Sequence, residues 1–173
     1  DGWESEGLEL NKDAAKIARG KGFKINDKYK IEDSSYKNNS FDCISLWGVF
    51  LHLTEPNEML QSIHKLLKKS GLALFFVPNG HSLIIRLSRE NNSTVSGRAH
   101  LWYFTPKTIK KILENNGFKV EKTFSILPQI HEIQHFLQYN TLYKESELKG
   151  ENEFIIDDDL KKLMEEYINK NNL

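Results

Sequence analysis

Two apolar runs flanking one amphipathic helix constrain this chain more than any other feature. Phe41 to Val49 (FDCISLWGV) and Leu72 to Val77 (LALFFV) are nearly unbroken hydrophobic stretches of strand length, the mark of strands buried on both faces. Between them Thr54-Glu55-Pro56-Asn57 opens a helix. Met59, Leu60, Ile63, Leu66 and Leu67 form its apolar stripe from Glu58 to Lys68, and Ser70-Gly71 ends it. A buried strand, a crossover helix and a second buried strand make a parallel unit, because a crossover of that length is what parallel pairing needs.

The flanks extend the same alternation. Trp3 to Leu10 (WESEGLEL) reads as a short strand, and Asn11 caps the helix that carries Ala14, Ala15, Ile17 and Ala18 at helical spacing. Gly20 and Gly22 stop that helix, and Phe23 to Ile25 begins another apolar stretch. After Pro78 the pattern loosens, and residues 79–99 read as a mobile segment or lid. Thr105-Pro106 starts a helix that Gly117 ends. Phe118 to Phe124 reads as a strand, and Pro128 to Tyr143 and Asp157 to Asn169 as helices. The expected fold is α/β: a Rossmann-like, doubly wound, mostly parallel sheet with helices on both faces, incomplete at the N-terminus, with extra C-terminal helices. Residues 1–124 are expected to form the core, and 125–173 a helical segment on the substrate side.

Composition removes several functions. Lys+Arg and Asp+Glu both number 24, for a formal net charge of zero, which is not the footprint of a dedicated nucleic-acid binder. No apolar run approaches the roughly 18 residues of a spanning helix, and no signal-peptide layout is present. The lone Cys43 can form neither an internal disulfide nor a cysteine-rich metal site. A cytoplasmic location, with no membrane or nucleic-acid partner, is the expectation.

In an open α/β sheet ligands sit outside the carboxyl ends of the strands. Glu9 stands at such an end, and a carboxylate there can accept both hydroxyls of a ribose; it can equally be a solvated acid at a strand's end. Leu46, Trp47 and Gly48 close the next buried strand, where Trp47 either lies against a flat ring or is core. His52 follows four residues after Gly48 and either points at a substrate or is structural.

GWESEGLELNKDAAKIARGKGFKI, SFDCISLWGVFLHLTEPNEMLQSIHKLLKKSGLALFFVPN and GRAHLWYFTPKTIKKILENNGFKVEKT together resemble the class I S-adenosylmethionine-dependent methyltransferases. The match is to their small-molecule branch, of the ubiquinone-biosynthesis and type 11/23 kind, and covers roughly residues 2 to 124. The resemblance implies that S-adenosylmethionine is the cofactor and that Glu9, with Leu10 beside it, holds its ribose. It implies Ile31 beside the adenine and Leu46, Trp47 and Gly48 on the methionine and ribose side. His52, His100, Trp102 and Tyr103 would face a small-molecule acceptor, with His52 a candidate catalytic residue. The chain departs from the pattern in several places, among them an adenine-side acid with no clear counterpart, Lys30 falling close to it, and a last strand not evident after Asn152. No G-x-G-x-G occurs among the ten glycines, so the glycine loop is expected upstream of Asp1 and binding by residues 1–173 alone is expected to be weak. Gly48 stands where relatives carry the acid of W-D-V, and Leu51 where they carry a glutamate, so an acid/base or metal role for those acids is not implied here.

Two other readings compete. A noncatalytic domain could keep this fold for binding. His131-Glu132-Ile133-Gln134-His135 reads H-E-x-x-H, which on a helix puts two histidines on one face for zinc with Glu132 as general base. No third ligand stands out among Glu145, Glu147, Glu151 and Glu153, so no metal is expected.

Overall fold

The computed structural model describes residues 2–28, 31, 35–92, 94–126, 133 and 158–170. Its backbone falls into two compact units, one of Asp1–Ser45 with Glu55–Leu74 and one of Leu46–Thr54 with Phe75–Leu173.

The first unit opens with strand β1 (Glu6–Leu8), helix α1 (Lys12–Gly20) and strand β2 (Lys24–Asn26). β1 and β2 run parallel, with Glu6 opposite Lys24 and Leu8 opposite Asn26, and Glu9 N–H extends the pairing to Asn26 O at 2.9 Å. Gly7 lets β1 lie close to β2: a Cβ there would lie 2.8 Å from Ile25 Cδ1, the end of a side chain that would have to shift. Asn11 caps α1 as its sequence position implies: its Oδ1 accepts the N–H groups of Asp13 and Ala14, each at 3.0 Å. Of the four apolar residues on α1 only Ala15 is buried, and Ile17 is exposed. Arg19 ties the helix end to β2, donating from Nε and Nη2 to Ile25 O and lying 3.1 Å from Asp27.

Strand β3 (Phe41–Trp47), helix α2 (Pro56–Leu66) and strand β4 (Leu67–Phe76) follow. β3 pairs with β4. Ser40 N–H donates to Leu66 O at one end and Gly48 N–H to Phe76 O at the other, so both strands advance in the same direction and the pair is parallel. Of the stripe read from the sequence, Leu60, Ile63, Leu66 and Leu67 are buried and Met59 is half-buried. The helix nevertheless stops at Leu66 rather than at Ser70-Gly71, because tertiary contacts hold the next residues extended. Lys68 Nζ reaches both carboxylate oxygens of Asp42 at 2.7 Å. Gly71 fits where a Cβ would sit 3.1 Å from Phe41 O.

In the second unit the Phe50–His52 turn is followed by helix α3 (Leu83–Ser88), a turn over Arg89–Asn91, helix α4 (Pro106–Asn115) and helix α5 (Asp158–Lys170). Residues 79–99, expected as a mobile segment or lid, contain a helix and a turn. Ile84 anchors α3, packing with Ile133 and with Leu87, Met164 and Ile168. Thr105 and Thr108 form a reciprocal capping box on α4, and Gly117 takes the left-handed conformation at φ 85°. The strand expected over Phe118–Phe124 is not formed. Phe118 N–H turns back to Leu113 O instead of entering a ladder, and Phe124 is exposed. Pro128–Tyr143, apart from Ile133, lies outside the described residues. No described helix is long and apolar enough to cross a membrane.

Candidate functional site

The residues singled out by the sequence divide between the two units. On the first, Glu9 follows the last residue of β1 and precedes the cap of α1. Its Oε1 accepts Asn11 N–H at 2.8 Å, so the same short loop fixes both the helix start and one oxygen of the carboxylate. The other oxygen has no partner among the described residues. Leu10 beside it is 48% exposed, and Ile31 is half-buried. A carboxylate oriented by one backbone donor and open on its other oxygen can accept a hydroxyl.

On the second unit, Leu46 is buried at the end of β3 and Trp47 is 68% exposed, its ring tilted against Phe76 with centroids 5.8 Å apart. Gly48 has φ 67°, a left-handed turn that glycine makes without steric cost. The turn leads directly into Phe50–His52.

That turn is the organising feature of the site. Phe50 is fully buried, stacked on Phe104 at 5.3 Å and edge-on to Phe75 at 5.2 Å. Leu51 O accepts both Leu101 N–H and Trp102 N–H, and Leu53 O accepts Trp102 Nε1–H at 2.7 Å. His52 Nδ1 donates to Ala99 O. The 99–104 segment is thereby sewn to the 50–53 turn, and the two histidines come together with ring centroids 5.0 Å apart. Tyr103 lies edge-on to His100 at 6.3 Å. His52, His100, Trp102 and Tyr103 thus form one cluster. Gly80 packs beneath it: its N–H donates to Phe104 O at 2.7 Å, and a Cβ there would lie 3.2 Å from Tyr103 Cβ.

Sequence reasoning missed Asn92. It is 4% exposed, its Oδ1 accepts Thr94 N–H at 2.8 Å, and its buried Nδ2 has no partner among the described residues. Thr94 O in turn accepts His100 Nδ1. An asparagine in a polar run gives no periodic signal of burial, and only the Asn-x-Thr spacing of an Asx-type turn hinted at it. In the H-E-x-x-H stretch His131, Glu132 and His135 lie outside the described residues. Among the described residues no group of three or more histidine, cysteine or acidic side chains is placed to hold a metal.

Parallel β-α-β units with polar and aromatic residues at their strand ends define a chain of the Rossmann-like α/β class. Residues 1–123 match the family described as methyltransferase domain, and the chain belongs to that family. An uncharacterized protein of Methanocaldococcus jannaschii is 23% identical over 128 residues, which is 73% of this chain and 62% of that protein. The chain thus spans less than two thirds of that relative. A SAM-dependent methyltransferase from Archaeoglobus fulgidus shares the fold with a TM-score of 0.60 at 24% identity, covering 98% of this chain and 69% of the other. One from Thermotoga maritima gives 0.58 at 22%, covering 67% and 55%. The complex of the Haloferax volcanii Trm112 methyltransferase activator with a methyltransferase gives 0.60 at 16%, covering 79% and 60%.

Proposed function

We propose that this chain serves S-adenosylmethionine-dependent methyl transfer to a small-molecule acceptor in the cytoplasm. The observation that carries the reading is the family match over residues 1–123. The residues present fit the ribose part of the cofactor: Glu9 has one oxygen anchored on Asn11 N–H and the other without a partner among the described residues. No glycine loop occurs among the ten glycines, so no residue is assigned to the carboxypropyl end. When bound, the cofactor supplies an electrophilic methyl group. The chain's own task is to bind, orient and exclude water, since in-line displacement depends chiefly on positioning. Glu9 would take the ribose with Leu10 beside it, Ile31 would flank the adenine, and Leu46, Trp47 and Gly48 would line the methionine side. His52, His100 and Tyr103 would meet the acceptor.

Glu9→Gln tests this. A glutamine oxygen can keep the Asn11 N–H bond, so the loop is preserved while the charged acceptor is lost. A hydrogen bond to a charged group is worth about 1.5–3 kcal/mol, and the affinity should fall about tenfold or more. Changes at the ribose protons of S-adenosylmethionine, followed by NMR on both proteins, measure it even where binding is weak. Undiminished affinity in the variant, with stoichiometric zinc copurifying, would instead favour hydrolysis through His131, Glu132 and His135.

A further inference from the structure

The hydrogen bonds of the two histidine rings go to backbone carbonyls, and in the same sense. His52 Nδ1 meets Ala99 O and His100 Nδ1 meets Thr94 O. A carbonyl oxygen can only accept, so each Nδ1 must carry the proton. In a neutral imidazole the other nitrogen is then an acceptor, and neither Nε2 has a partner among the described residues. The loop that supplies both carbonyls is itself tied down. Asn92 Oδ1 accepts Thr94 N–H, Asn92 O accepts Val95 N–H at 2.8 Å, and Ser96 O accepts His100 N–H at 2.9 Å. Asn92 is buried, and its Nδ2 has no partner among the described residues. Only its oxygen is needed to hold the turn.

We propose that the Asn92–His100 loop fixes His52 and His100 as Nδ1–H tautomers, so that their two Nε2 lone pairs face the acceptor, which binds as a neutral O–H or N–H donor and not as an anion. The proposal rests on the methyltransferase reading for the word acceptor. It adds the chemical class of that molecule and makes Asn92 a positioning residue acting through Thr94. An anionic oxygen offered to two Nε2 lone pairs finds no donor there, whereas a hydroxyl or amine N–H finds two acceptors. The exposed rings of Trp102 and Tyr103 beside them favour a flat donor, since offset and edge-on ring packing adds to affinity.

The test uses the 173-residue chain with labelled histidines. Nitrogen and ring-carbon NMR shifts at mildly alkaline pH distinguish the two tautomers directly. Both rings are expected as Nδ1–H, the form that is the minor one in free histidine. Asn92→Ala should return His100 to a mixture, while Asn92→Asp, which keeps the accepting oxygen, should retain Nδ1–H. Phenol as a probe should give saturating shifts at both Nε2 nitrogens, and benzoate none. An Nε2–H ring in the unmodified chain, or benzoate shifting the pair where phenol does not, overturns the proposal; so does a His100 signature indifferent to Asn92→Ala. The ring assignment and the probe titrations need no variant, so a substitution that fails to fold leaves the proposal falsifiable. Loss of the methyltransferase reading would show instead in the Glu9→Gln cofactor titration, which does not involve the imidazoles.

Discussion

Phe50 makes the most informative single perturbation, because it separates the ring packing of the second unit from the backbone bonds that place His52. Its side chain is fully buried, and its ring contacts those of Phe75 and Phe104. Truncation to alanine loses transfer free energy and leaves a cavity, about 3–5 kcal/mol for a buried Phe, a large share of the roughly 5–15 kcal/mol that holds a domain folded. Phe50→Leu is the finer probe. It keeps most of the apolar bulk, and a swap of similar volume costs less than about 1.5 kcal/mol. Two ring pairs worth about 0.5–1.5 kcal/mol each disappear with the phenyl group. The expected loss is therefore about 2 kcal/mol. With a urea slope near 2 kcal/mol per molar for a protein of this size, the unfolding midpoint should fall by about 1 M at unchanged slope. A double-mutant cycle of Phe50→Leu with Phe104→Leu should return a coupling of about 1 kcal/mol, since the two rings are in direct contact. The cross-peak between the His52 and His100 rings should survive Phe50→Leu, because backbone bonds and not the phenyl group hold that pair. A midpoint unchanged in Phe50→Leu, or zero coupling in the cycle, would refute the argument that ring stacking anchors the turn.

Arg89 has φ 50° and ψ −129°, a backbone conformation suited to glycine, where other residues carry about 1–3 kcal/mol of strain. Arg89→Gly gives back part of that gain as unfolded-chain entropy, so a net stabilisation of about 1 kcal/mol is expected in urea unfolding, and a destabilised variant would contradict it. At high pH, Tyr36 should limit the first unit. Burial, and secondarily the Glu6 carboxylate, hold its hydroxyl above the usual value of 10.0, against a lowering hydrogen bond from Asn26. The neutral phenol is the form the fold favours, so its contribution is fully present below the unfolded value and is lost as pH rises above it. Tyr36→Phe should flatten the alkaline decline in stability, and an unaltered alkaline slope would count against that assignment.

The parts of this structure legible in the sequence are those whose cause is local. Asn11 and Thr105 announce helix starts because the groups they satisfy lie within three residues of them. The β3–α2–β4 unit is legible because two apolar runs of strand length flank a helix that buries its stripe at Leu60, Ile63 and Leu66. The burial expected on both strand faces is not found: Trp47, Leu72, Leu74 and Phe76 are exposed, and β4 alternates between half-buried and exposed residues from Gly71 to Phe76. Errors occurred where a distant partner decides. Lys68 and Gly71 belong to β4 and not to the helix end because of Asp42 and Phe41, some thirty residues earlier. Phe118–Phe124 has the alternation of a strand, but alternation specifies only which residues can be buried. Ladder bonds require a neighbouring edge, and Phe118 N–H is already used by Leu113 O.

The cluster around His52 shows the same division at closer range. Its members could be nominated one by one from the resemblance, but neither spacing nor hydrophobic period says that His52 and Ala99, 47 residues apart, exchange a hydrogen bond. That bond has a consequence a list of site residues does not contain. A histidine named from a motif has two tautomers and therefore two opposite chemistries, donor or acceptor at Nε2. Only the carbonyl on its other nitrogen chooses between them, and that carbonyl belongs to a loop whose shape depends on Asn92, a residue with no chemistry to recommend it in the sequence. On that proposal the identity of the ligand-facing group is encoded at His52 and His100, while the sign of its hydrogen bonding is encoded in the backbone carbonyls of Thr94 and Ala99. A substitution in that loop could therefore invert what the site accepts while leaving both histidines in place.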